Sequence, residues 1–480
     1  MTFNLTTDPW IPVRWLDRRS TSVSLHQLFA ESAAIADLAV PTHERISLLR
    51  LLVCITQATL GAPETSCDWD GWGGDLEPRV ADYLTTWKEH FNLMGEGTRF
   101  LQSPIKDDKD YPTAQIVFHF ATGNTPTLLD HEGDDDRDLS PAFIARAVLA
   151  YQNHFVGGSL ASKVKGNGPA LKALHSFLIG GTLRETILCN CLDAETLRPS
   201  KLGKPAWEGG GKTDYLARLA PAPCKLRLVK DGARICIDQG IIYDEFEAAG
   251  IREPSTTIIT GKRGGVETKV LLRATIGKAI WRDLHLITVL QKRELNAPPT
   301  FSSHLVAQDD GLVSFWSGEL IKAKDAKILD AMESVFTVPF QLFTPQGQTR
   351  YAKGVAFSEE ISNRLYGAVK TYYATLKQED APTDSAKRHF WNALDQQSSI
   401  LLDLLKGQGS AQDPMGSADF GKGNDSWTLA VRAAANAAYE ATCPRQNPRQ
   451  LQAYAAGLKI LRSSGKKPTA RKQATTSLDS

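Results

Sequence analysis

At 480 residues the chain is long enough for two or three domains with their own cores. Its 55 basic and 54 acidic residues leave a net charge of +1, which excludes a protein that coats nucleic acid by bulk charge and confines any such contact to local patches. No run of 18 apolar residues occurs, the first residues lack the basic and apolar regions of a signal peptide, and the seven cysteines form no Cys-x-x-Cys pair, so the expectation is a cytoplasmic protein with reduced thiols, no membrane span, no zinc and no cofactor.

In chain order, Phe3-Asn-Leu5 and Trp10 to Trp15 read as short strands around a turn at Asp8-Pro9. His43 to Leu60 is apolar around most of its circumference and predicts a buried helix ended by Gly61. Lys225–Val229, Arg234–Ile237 and Thr256–Ile259 read as strands, and Lys262-Arg-Gly-Gly265 predicts a hairpin joining the last of these to Lys269–Leu272. Four amphipathic stretches then follow: Ser358 to Lys377, Asp384 to Lys406, Ser426 to Thr442 and Arg449 to Arg462. Short links between them predict a four-helix bundle. The expected fold class is α+β, a large mixed α/β N-terminal domain over 1–350 and the bundle over 355–465, with the boundary near 346–354 and a basic, disordered tail over 466–480.

One stretch stands out chemically. From Leu139 to Arg184 there is no Asp or Glu but five basic residues, Arg146, Lys163, Lys165, Lys172 and Arg184, around Phe155-Val-Gly-Gly-Ser159 and Gly166-Asn-Gly168. Glycines admit close backbone approach and flanking cations favour an anionic partner.

The opening Phe3 to Val13 resembles the start of the CasA family, the large subunit of the type I-E CRISPR Cascade complex. Leu51 to Gln57, Gly123 to His131, Ala150 to Gly158, Gly166 to Pro169, Ile280 to Leu284 and Arg388 to Trp391 resemble further family motifs in order and spacing, from residue 3 to residue 391. The resemblance implies a subunit that is not an enzyme. It would read a short protospacer-adjacent motif in target double-stranded DNA, help open the duplex for R-loop formation and recruit a helicase-nuclease. Its partners would be crRNA and the other Cascade subunits.

Residue by residue, the resemblance implies motif reading from the minor groove by Gly157, Gly158 and Ser159, with backbone N–H groups donating to base acceptors where no Cβ intervenes. Lys163 and Lys165 would touch adjacent phosphates, as would Lys262 and Arg263 at the hairpin tip. Asn124, Thr125, Leu129 and His131 align with a loop that docks on the foot of the complex. Lys324, Asp325 and Lys327 occupy the position of a duplex wedge, with Asp325 standing where one relative has a glutamine; where that relative has a lysine finger, Gly240 to Phe246 has no lysine. A solvated helix start is the plainer reading of Lys322 to Lys327, and core packing that of Trp281 to Asp283 and Arg388 to Trp391. From another class, His119, His131 and Asp134–Asp136 suggest a metal-dependent nuclease; a third reading is a structural scaffold that reads no motif.

Overall fold

The computed structural model describes residues 2–64, 69–105, 109–118, 120, 139–158, 160, 163–198, 200–243, 253–263, 265–290, 297–305, 311–322, 328–406, 420–421 and 425–463. The principal strands are Ile11–Trp15 (β1), Ser20–Val23 (β2), Ile35–Leu38 (β3), Asp110–Pro112 (β4), His175–Leu178 (β5), Cys224–Val229 (β6), Arg234–Gln239 (β7), Ile258–Arg263 (β8), Val266–Leu271 (β9), Leu312–Lys322 (β10) and Ile328–Pro339 (β11). The principal helices are Thr42–Leu60 (α1), Pro141–His154 (α2), Pro345–Thr375 (α3), Thr383–Asp395 (α4), Ser399–Lys406 (α5), Ser426–Thr442 (α6) and Pro448–Arg462 (α7).

Three small antiparallel sheets, ordered β2-β1-β3, β4-β7-β6 and β11-β10-β5, surround α1 and α2. Helix α1 is buried from Thr42 to Gln57 with only Arg45 partly open, as its circumferential apolar pattern requires. A first core gathers β1–β3, α1, α2 and β6–β7; a second runs from Leu174 and Trp281 through β10–β11 into α3–α7.

Two sequence expectations change. The first long helix of the C-terminal part begins at Pro345, where the Thr344 hydroxyl accepts from the Gly347 N–H at 3.1 Å and proline occupies the first turn. It therefore runs unbroken through 346–354, and Ser358, expected at its start, is buried mid-helix with its hydroxyl donating to the Gly354 carbonyl at 3.0 Å. The stretch Asp384 to Lys406 divides into α4 and α5, because the Ser398 hydroxyl donates back to the Asp395 carbonyl at 3.2 Å and turns the chain there.

The core reading holds for Trp281 to Asp283 and for Phe390, whereas Arg388 and His389 are exposed and Trp391 is partly buried. Trp281 packs edge-on to Trp427 and tilted to Trp391, its indole N–H donating to Asp395 at 2.7 Å, while Arg282 lies 3.6 Å above the Trp391 ring. Cys54, Cys189, Cys191, Cys224, Cys236 and Cys443 are free thiols. No described helix is long and apolar enough to cross a membrane.

Candidate nucleic-acid interface

Helix α2 starts on a Ser140 cap and ends at His154, and the chain then turns through Phe155-Val-Gly-Gly158 before returning at 163–170. Backbone bonds close this loop: Gly158 N–H donates to the Val164 carbonyl, and Gly168 N–H to that of Phe155, both at 2.8 Å, while Ala170 N–H donates to that of Asn153 at 3.1 Å. The Gly157 N–H donates to the Asn167 side chain at 3.2 Å. A Cβ on Gly157 would lie 2.4 Å from the Gly166 carbonyl oxygen, so the loop closes only with glycine there. Gly158 is exposed, has φ +78° and faces open space.

Both glycine N–H groups are thus committed inside the loop. That revises the expectation of N–H donors facing a base: among the described residues the free groups of Gly157 and Gly158 are carbonyl acceptors.

The end of β7 braces the returning strand. The Gln239 side chain mimics a strand partner, accepting from Lys165 N–H at 2.8 Å and donating to its carbonyl at 3.2 Å. Lys163 pairs with Asp238 at 3.5 Å, whereas the exposed Lys165 side chain has no ion pair among the described residues. The acid-free window is likewise offset by distant acids, since Arg146 pairs with Glu44 at 2.8 Å and Arg184 with Glu77 at 3.9 Å. Burial pushes the Glu44 carboxyl up against the pull of Arg146. The basic surface is therefore narrower than the sequence suggests and centres on Lys165 and Lys172.

Under the loop lies a buried polar network. Arg50 donates through Nη1 to both Glu253 oxygens at 2.7 and 2.8 Å, through Nε to Asn153 at 2.9 Å and through Nη2 to the Arg218 carbonyl at 2.6 Å. Burial pushes the Glu253 carboxyl up, but Arg50 and Arg218 outweigh it and hold it below the usual range. His175, buried against this network, is pushed down to about 4 by desolvation.

The hairpin β8–β9 forms as expected, with one refinement: the backbones of Lys262 and Arg263 pair with Glu267 and Val266, so they end a strand and the turn follows them, with Gly265 at φ +83°. Strands β10 and β11 pair along their whole length, so Lys322 ends a strand and does not start a helix, while 323–327 lie outside the described residues. Lys322, read as solvated, is 7% exposed; its ammonium donates to the His154 carbonyl at 2.8 Å and lies 3.6 Å from the Phe118 ring centre. Asn167, Gln239 and Lys322 are the supports that sequence reasoning missed, although an asparagine between two glycines is a recognisable turn signal for the first.

Ser159, Asn124, Thr125, Leu129, His131, Lys324, Asp325 and Lys327 lie outside the described residues, as do His119 and Asp134–Asp136. Among the described residues no group of three or more His, Cys, Asp or Glu side chains is placed to hold a metal ion.

Residues 4–438 match the family model for CRISPR-associated protein Cse1. A CRISPR-associated protein CasA/Cse1 of Thermus thermophilus is 25% identical, the alignment covering 92% of each chain. In fold the chain is similar to Cse1 from Acidimicrobium ferrooxidans (TM-score 0.75, 21% identity, 96% of this chain and 97% of that one). It is similar also to Thermus thermophilus CasA (TM-score 0.74, 22% identity, 96% and 99%) and to a chain of a CRISPR RNA-guided surveillance complex (TM-score 0.71, 17% identity, 96% and 100%). With a family match spanning nearly its whole length, the chain belongs to the CRISPR-associated protein Cse1 family.

Proposed function

We propose that this chain is the non-catalytic large subunit of a type I-E Cascade complex that reads a protospacer-adjacent motif in duplex DNA, helps open the duplex and recruits a helicase-nuclease. The part before Pro345 carries motif reading, the helices from Pro345 onward a helical bundle and 466–480 a basic tail. The observation that carries the reading is the Gly157–Gly158 turn: it projects backbone without side chains, its N–H groups are satisfied internally, and an exposed Lys165 stands beside it.

A surface that offers carbonyl acceptors to the minor groove selects the one donor found there, the guanine 2-amino group. The motif read by this subunit therefore contains a G·C pair opposite Gly157–Gly158. Lys165, Lys262 and Arg263 supply phosphate contacts, which position the duplex without specifying sequence. Beyond them, Lys324, Asp325 and Lys327 act as the duplex wedge.

The test is binding of the assembled complex, with crRNA, to target duplexes whose flanking bases are randomised. Enrichment of a G·C pair at one fixed flanking position supports the reading, and replacing guanine by inosine there, which removes only the 2-amino group, abolishes the preference. Equal binding to all flanks refutes it.

A further inference from the structure

Three consecutive carbonyls at the end of α2 are each taken by a different donor. Asn153 accepts from Ala170 N–H and Phe155 from Gly168 N–H, both within the glycine loop itself. His154, between them, accepts from the Lys322 ammonium at 2.8 Å, and Lys322 is the last residue of β10. The side chain turns inward where the β10–β11 register shifts between Ile321 and Lys322, an irregularity that re-aims a residue relative to its strand.

This ammonium sits in a costly place. It faces the Phe118 ring, which stacks on Tyr151 and meets His43 and His154 edge-on. Among the described residues no carboxylate pairs with it; the buried acids Glu44, Glu253 and Glu319 are paired with Arg146, Arg50 and Arg273. His154 is buried with Nε2 unpartnered, and burial first, then Lys322, push it well below the ordinary histidine range, so it adds no second cation there. A methionine of similar shape would fill the pocket without desolvating a cation.

A lysine stem has four methylenes and its ammonium can donate without a fixed fork, so one residue bridges the strand end and the helix end. The positive charge also suits a helix C-terminus, where the carbonyls are otherwise orphaned. Lys322 is thereby the direct polar tie between the hairpin and the first residue before the Phe155–Gly158 turn.

We infer that Lys322 is a positioning residue for motif discrimination: it holds the Gly157–Gly158 turn in register with the end of the β10–β11 hairpin, at the expense of fold stability. The inference rests on the motif-reading function proposed above and assigns its regulation to a residue that touches no base.

The experiment compares wild type, Lys322→Met and Lys322→Arg, each in the assembled complex on the same randomised-flank duplexes, alongside melting of the isolated chains. For Lys322→Met the expected result is a melting temperature equal to or above wild type, unchanged affinity for duplexes lacking the preferred flank, and about a tenfold loss in the ratio of best to worst flank. Lys322→Arg, which keeps a cationic donor, recovers part of that ratio. Wild-type discrimination in Lys322→Met overturns the inference and leaves the proposed function standing. A fall in melting temperature with a parallel loss of affinity on every flank also overturns it, since that is the signature of a purely structural residue. Absence of flank dependence in wild type overturns the proposed function and this inference with it.

Discussion

Replacing Glu253 by glutamine is the sharpest test of the network beneath the glycine loop. Glu253, Arg50 and Arg218 are 1%, 1% and 6% exposed at their side chains, so two guanidiniums share one buried carboxylate, at 2.7 and 3.6 Å. Glutamine keeps the volume but leaves both cations without a counter-charge and turns an amide N–H₂ toward one of them. Removing one partner of a buried ion pair costs about 3–5 kcal/mol. With an unfolding entropy of about 2.1 cal/mol/K per residue, a single transition of the whole chain would shift by roughly 3–5 °C, which differential scanning calorimetry resolves easily. The pH dependence has a definite sign. Because the native carboxyl titrates below its ordinary value, its stabilisation is present at neutral pH and is lost as pH falls through the depressed native value, so the gap between wild type and Glu253→Gln narrows in acid. A shift below about 1 °C at pH 7, or a gap that widens in acid, refutes the assignment of Glu253 as the counter-ion of this network.

Other outcomes are as definite. Burial lowers the Lys322 ammonium to about 7, so the native state releases its proton earlier than the unfolded chain; urea titrations should show Lys322→Met most stabilised relative to wild type at and below pH 7, with the advantage shrinking as pH rises toward 10. Gly158→Asn tolerates the left-handed backbone and meets open space, so it should leave the melting temperature within about 1 °C while lowering target affinity of the complex. Gly157→Ala pushes on the Gly166 carbonyl, and hydrogen exchange should accelerate at Gly158 and Gly168, whose amides close the loop. In the C-terminal part, Gly457→Ala places a methyl 2.1 Å from the Tyr439 hydroxyl and 2.6 Å from the Ala368 carbonyl; a destabilisation of about 1–3 kcal/mol is expected by chemical denaturation, and a neutral result would refute the close approach of α7 to α3.

Local chemistry makes part of this fold legible in the sequence. The circumferential apolar pattern before Gly61 matches α1 to within one residue, and the glycines after Arg263 mark the β8–β9 hairpin. The start of α3 is hidden because Gly347 and Gly354 look like helix breakers. In the structure they allow close packing, Gly347 over the Gln341 carbonyl and Gly354 under Leu401, so tertiary contact overrides local preference. The same limit applies to charge. Arg146, Lys163 and Arg184 look unopposed along the chain, yet Glu44, Asp238 and Glu77 reach them from other elements. Lys322 looks like one of a solvated lysine group, and its acceptor lies 168 positions away. Gly157 and Gly158 are visible as a turn, but the direction of their N–H groups depends on Asn167 and Val164 and is a property of the closed loop.

Helix α3 is a 31-residue rod, about 46 Å long at 1.5 Å per residue. Near its beginning the Tyr351 hydroxyl is tied to the Trp281 carbonyl at 2.9 Å and the Trp427 indole to the Gly354 carbonyl at 3.0 Å. Near its far end Gly367 and Ala368 carry α7. The short turn Phe340–Phe343 joins it to β11. An unbroken rod with its fulcrum at one end acts as a lever: a tilt of about 5° at Tyr351 sweeps Thr375 through roughly 3 Å. A fluorophore pair placed across the Thr375 end would therefore report a disturbance at the β10–β11 side with more gain than one placed beside the hairpin itself.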